Sequence, residues 1–153
     1  MIRSLLYIVF LCLLSCKAQK EGHPLAGEKI ADMVLVDHDD FSNVEVFENQ
    51  VIRDAKSLRK FYAEINKTRK PGLPVPVIDF SKETVVLVCL GEQQGKKIAR
   101  LSKLQETDNE VSIAVEVIDE EQQGEITTQP LYFPFYLYKM PLVDKTITFQ
   151  KID

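Results

Sequence analysis

Thr84-Val85-Val86-Leu87-Val88-Cys89-Leu90 is a run of seven residues without a charge, four of them β-branched. Strand side chains alternate between two faces, so an apolar run that does not alternate needs cover on both. It predicts the central strand of a sheet with another layer above and below. The approach to it is extended. Pro71, Pro74 and Pro76 fix φ and lack an N–H, which excludes a helix there. Asp79 and Ser81 supply turn chemistry before the run, and Gly91 ends it.

A layer for one face is visible upstream. Asp54 is a helix N-cap residue, and Leu58, Phe61, Tyr62 and Ile65 follow at i, i+3, i+4, i+7 spacing. They predict one helix over 55–66 that docks by Leu58, Phe61 and Ile65. Lys67, Arg69 and Lys70 come where cations suit a helix C-terminus, and Pro71-Gly72 stops it. Strands are predicted at 30–36, 44–52, 98–104, 111–117, 132–140 and 146–151. Their hairpin-length connections favour antiparallel pairing. The expected class is α+β, mainly antiparallel β, with six or seven strands in a sandwich-like or open-barrel arrangement and one helix.

The first residues stand outside that fold. Arg3 precedes an apolar stretch over 5–14 of signal-peptide length, too short for a span of about twenty residues. Leu13-Leu14-Ser15-Cys16 looks like a bacterial lipobox, which predicts acylation of Cys16 and removal of 1–15. Residues 16–28, with Gly22, Pro24 and Gly27, read as a polar tether, and 29–153 as one β-rich domain. Several acyl chains would hold such a protein stably on a membrane. Cys12 leaves with the signal and Cys16 is lipidated, so Cys89 is the remaining thiol, expected to be buried and inert. The net charge of −4 carries no electrostatic footprint for nucleic acid.

Three clusters are candidate sites. Asp37-His38-Asp39-Asp40 is dense in metal-ligand types but lacks the glycine and distant glutamate of a calcium loop; a solvated turn and no metal is the expectation. Asp119-Glu120-Glu121 offers charge for a cation or a basic partner, a charged hairpin tip being the ordinary reading. In Tyr132-Phe133-Pro134-Phe135-Tyr136-Leu137-Tyr138, alternation puts Phe133, Phe135 and Leu137 on one face and Tyr132, Tyr136 and Tyr138 on the other. The tyrosine face is a second packing surface or an aromatic stripe for a partner, packing being the ordinary outcome. No nucleophile elbow, zinc-protease helix, phosphate loop or dinucleotide fingerprint is present, so neither an enzyme nor a cofactor is expected.

Val51-Ile52-Arg53-Asp54, Leu58 with Phe61, residues 77–86, Leu90-Gly91, Thr128-Gln129-Pro130 and residues 134–141 together resemble the C-terminal domain family of the PrcB proteins. These are bacterial lipoproteins associated with a secreted protease complex. The resemblance implies a lipid-anchored envelope module on the outer membrane or periplasmic face that binds or stabilises a protein partner, such as a protease, without catalysis. The alternative is an envelope domain for a peptide or glycan ligand. The family carries a Thr-Gly-Gly-Tyr-like turn after Leu-Gly; here Gln93-Gln94-Gly95-Lys96-Lys97 stands in its place. Gln94, Gly95, Lys96 and Lys97, with Tyr132, Tyr136 and Tyr138, are therefore the candidate partner-binding residues. If that turn is a recognition loop, its two lysines predict a salt-sensitive preference for an acidic surface; if it is structural, it is a solvated hairpin end.

Overall fold

The computed structural model describes residues 25–120 and 130–152. The signal segment, Cys16, most of the tether, Glu121, Gly124, Thr128 and Gln129 lie outside the described residues. Among these residues nine strands, instead of the six or seven expected, and one helix follow in the order β1 (Val34–Asp39), β2 (Glu48–Ile52), α1 (Ala55–Ile65), β3 (Glu83–Cys89), β4 (Gln93–Gln94), β5 (Lys97–Glu106), β6 (Glu110–Asp119), β7 (Leu131–Tyr132), β8 (Phe135–Pro141) and β9 (Thr146–Ile152), the two-residue β4 and β7 being too short to mark themselves in the sequence. A four-stranded sheet runs β1-β8-β3-β2, a three-stranded sheet runs β5-β6-β9, and β4 pairs with β7. The sheets are separate and do not close into a barrel, so the fold is α+β, mainly antiparallel β, of the sandwich kind.

β3 is the two-faced strand that its composition demands. Val86 and Val88 point into a core shared with Ile113, Val115 and Ile147 of the second sheet. Val85, Leu87 and Cys89 point the other way, against Leu58, Tyr62 and Ile65 of α1. The four-stranded sheet is thus the middle of three layers, with α1 on one side and β5-β6-β9 on the other. Cys89 is fully buried, and burial, then the charge of Glu48, pushes its thiol up to about 12. Thiol reagents are expected to label the native protein slowly and the unfolded chain fast; rapid native labelling would contradict the packing. The linkage has a definite sign. The neutral thiol's contribution to stability is complete below about pH 9 and is lost between there and pH 12, where only the unfolded chain holds a thiolate.

The residues quoted for the family resemblance mostly hold this frame. Asp54 caps α1 by accepting from Ser57 N at 2.8 Å. Arg53 donates to Val143 O and Lys145 O at 2.8 and 3.0 Å and clamps the β8–β9 connection. Asp79 accepts from Ser81 N and Oγ, and Lys82 and Glu83 return N–H bonds to its carbonyl. Gly91 has φ +74, and a Cβ there would meet Phe47 N at 2.8 Å, so a side chain is excluded on both counts.

Several expectations are corrected. The buried aromatic of α1 is Tyr62, with no exposed surface, while Phe61 is half-buried beside it. β1 runs to Asp39 instead of ending at Val36, because β8 pairs with His38 and Asp39. β2 begins only at Glu48; Val46 is exposed where the loop passes Gly91. The stretch 132–140 is two strands, since Pro134 cannot donate to a ladder and the chain changes partners there. β9 lies parallel to β6, the one departure from antiparallel pairing among the named strands. It reaches β6 only after the chain has crossed to the other sheet as β8. The fold also begins earlier than residue 29. Glu28 exchanges backbone bonds with Lys103 at 2.9 and 2.7 Å, and Ala26 N donates to Glu116.

Candidate functional site

A cleft of about 290 Å³ opens where β1 and β8 of the first sheet meet β5 of the second. It is lined by His38, Asp39, Asp40, Phe41, Lys96, Ile98, Glu120 and Tyr136. Phe41, Ile98 and Tyr136 are its apolar and aromatic parts. Tyr136 is nearly buried and donates its hydroxyl to Lys97 O at 2.7 Å, tying the two sheets together. Burial, then nearby charge, keeps that phenol protonated well above its ordinary range. His38 faces Tyr136 across the β1–β8 ladder, with ring centroids 5.9 Å apart.

The four polar residues of 37–40 go to different places because they lie on and just after a strand, not in a loop. Asp37 turns towards α1, where Tyr62 donates to its Oδ2 at 2.5 Å. Asp39 is paired with Arg69, which also reaches Phe41 O. Burial pushes the Asp39 carboxyl up, but the Arg69 and Phe41 hydrogen bonds and the Arg69 charge together hold it below its ordinary value. Asp40 Oδ2 lies 3.3 Å from Lys96 Nζ. Glu120 Oε2 lies 3.9 Å from the same ammonium. The Asp40 hydrogen bond first, then the charges of both acids, raise the Lys96 ammonium above its usual value. Among the described residues, no three histidine, cysteine or acidic groups are placed to share a metal ion.

The residues singled out from the sequence are only partly brought together. Lys96 lines the cleft. Lys97 turns away to pair with Asp119. The prediction of a basic loop therefore loses its basis, since each lysine is matched by acids. Gln93–Gln94 is a short strand and not a turn; Gln94 is exposed opposite Leu131. Gly95 is buried at φ +75 and makes the corner before Lys96. The three tyrosines do not form a stripe. Tyr138 donates to Ala99 O at 2.8 Å between the sheets, and burial pushes its hydroxyl up to about 12. Tyr132, on β7, lies under Phe41 with ring centroids 5.8 Å apart. Phe41, half of it exposed, was missed in the sequence. An isolated aromatic between acids and a serine has no periodic signal to mark it. Arg69 was read only as a cation beyond a helix end; its partner, thirty positions upstream, is not legible locally.

Comparison with protein-family models, curated proteins and solved structures returns no match. Among the described residues, no helix is long and apolar enough to cross a membrane.

Proposed function

We propose that this chain is a lipid-anchored module of a bacterial cell envelope that binds or stabilises a protein partner without catalysing a reaction. The observation that carries the proposal is the cleft. It joins a half-exposed aromatic, Phe41, to side chains with exposed charge, Asp40, Lys96 and Glu120, where the two sheets meet. Aromatic anchors beside polar groups are the ordinary composition of protein interfaces. Among the described residues, no serine, threonine or cysteine lines the cleft beside His38, which favours binding over nucleophilic chemistry. Cys89 faces α1 on the other side of the middle sheet. The lipobox reading of residues 13–16 supplies the anchor, and the PrcB resemblance makes a protease complex the first partner to look for. A peptide or glycan ligand is the alternative that the same aromatic rim accommodates.

The test is a crosslinked pull-down of the full lipidated chain from its native envelope, run beside two variants. Cys16→Ala is expected to shift the protein from the membrane to the soluble fraction. Phe41→Ala is expected to leave it on the membrane and lose the captured partner. Unchanged membrane association of Cys16→Ala would remove the anchor. A partner held equally by Phe41→Ala would remove the cleft.

A further inference from the structure

We propose that the cleft receives a basic side chain from the partner, a guanidinium best of all, in the place now occupied by the Lys96 ammonium. This deepens the reading of the chain as a partner-binding module and rests on it. The sign of the ligand follows from the charges that face the opening. Asp39 is already closed off by Arg69 and the Phe41 N–H. Among the described residues that leaves, beside His38, Asp40 and Glu120 against Lys96, two carboxylates against one ammonium. All three side chains are between 39% and 50% exposed, so none is locked in the core.

The geometry of Lys96 shows how loosely the position is filled. Charge-assisted N–H···O bonds settle near 2.7–2.9 Å. Lys96 bridges its two acids at 3.3 Å from Asp40 and 3.9 Å from Glu120, so the nearer contact is long for a charge-assisted bond and the farther one is an ion pair alone. A lysine is a single point of charge on a flexible stem, whereas a guanidinium presents a planar fork of donors that can serve two carboxylates at once. The same molecule shows that fork in use, where Arg69 grips Asp39 and Phe41 O together. Beside the acids stands an aromatic surface. Phe41 is in the cleft lining beside Tyr132 and half exposed, within reach of the apolar stem or the cationic end of an incoming side chain. A volume of about 290 Å³ suits one long side chain and not an extended chain.

Lys96 is then an internal competitor, and that gives the test a sign. The full chain is titrated with acetyl-Gly-Phe-Arg-Gly-amide, with its Arg-to-Glu counterpart and with N-acetylglucosamine. Binding is followed through the backbone amide resonances of residues 38–41 and 96–98. The arginine peptide is expected to shift them and the glutamate peptide to leave them in place. Asp40→Asn with Glu120→Gln should weaken the arginine peptide severalfold, since two partly exposed ion pairs are lost together. Lys96→Met should tighten it severalfold. Weaker binding by Lys96→Met would make this an anion site, and a response to N-acetylglucosamine alone would make it a sugar site; either overturns the proposal. So does the absence of any response to the arginine peptide. The pull-down separates this from the broader reading. A partner still captured by Asp40→Asn/Glu120→Gln defeats the basic-side-chain proposal alone. An arginine-selective cleft with no envelope partner defeats the module reading instead.

Discussion

Tyr62→Ala is expected to destabilise the domain by about 3–5 kcal/mol, the usual cost of emptying a fully buried aromatic site. The ring has no exposed surface and packs edge-on against Phe61 and Phe135, at 5.6 and 6.3 Å between centroids. It also holds the helix to the edge of the middle sheet, through its hydroxyl on Asp37. Burial, then that bond, raises the phenol far above its ordinary range, so the hydroxyl stays a donor at any pH the fold survives. Tyr62→Phe separates the two contributions. It keeps the ring and removes one hydrogen bond to a charged group, for which about 1.5–3 kcal/mol is usual. Phe61→Ala should cost less than Tyr62→Ala, because its ring is only half-buried. Urea unfolding followed by circular dichroism measures all three. A Tyr62→Ala loss under ~1 kcal/mol, the range of surface substitutions, would place α1 at the periphery.

Glu116→Ala should cost about 3 kcal/mol, the low end of what breaking a buried ion pair costs. Its side chain is 9% exposed and meets Arg100 at 2.6 Å directly across the β5–β6 ladder. The low end applies because Arg100 keeps 27% of its side chain in solvent and is not stranded in a dry interior. Glu116 also accepts from Ala26 N, where the chain first joins the second sheet. Its loss should therefore release residues 26–28 before the rest of the domain unfolds. Hydrogen exchange at Glu28 reads this out, since that N–H bonds to Lys103 O at 2.9 Å. Glu116→Gln retains an acceptor for Ala26 and should retain the protection while losing part of the stability. Equal protection in wild type and Glu116→Ala would assign the attachment to the Glu28–Lys103 ladder alone.

Much of the frame was legible in residue order because its causes are local. A charge-free β-branched run needs two covered faces wherever it occurs, and Thr84 to Cys89 has them. Asp54 caps because the N–H of Ser57 is one helical turn away. Asp79, Ser81 and Gly91 likewise act on backbone within a few residues or through a φ that glycine alone tolerates cheaply. The choice of Phe61 over Tyr62 failed for a related reason. Both lie on the same helical stripe and both rings meet Phe135, but only Tyr62 has a hydroxyl that reaches Asp37 on another element.

The cleft belongs to the other kind of fact. Asp40, Lys96, Glu120 and Tyr136 come from four separate parts of the chain, and their meeting depends on how two sheets are stacked. Residue order alone determined that Lys96 and Lys97 are cationic. Only the tertiary structure decided that neither makes a basic patch, since Asp40, Glu120 and Asp119 are brought against them. In the same way, alternation correctly set Tyr136 and Tyr138 opposite Phe135 and Leu137. That the tyrosine side faces a second sheet, with its hydroxyls bonded to Lys97 O and Ala99 O, followed from layer stacking. The physical reason is range. Propensity, capping and turn chemistry act over a few residues, whereas charge matching and burial act through space between residues that the sequence keeps far apart.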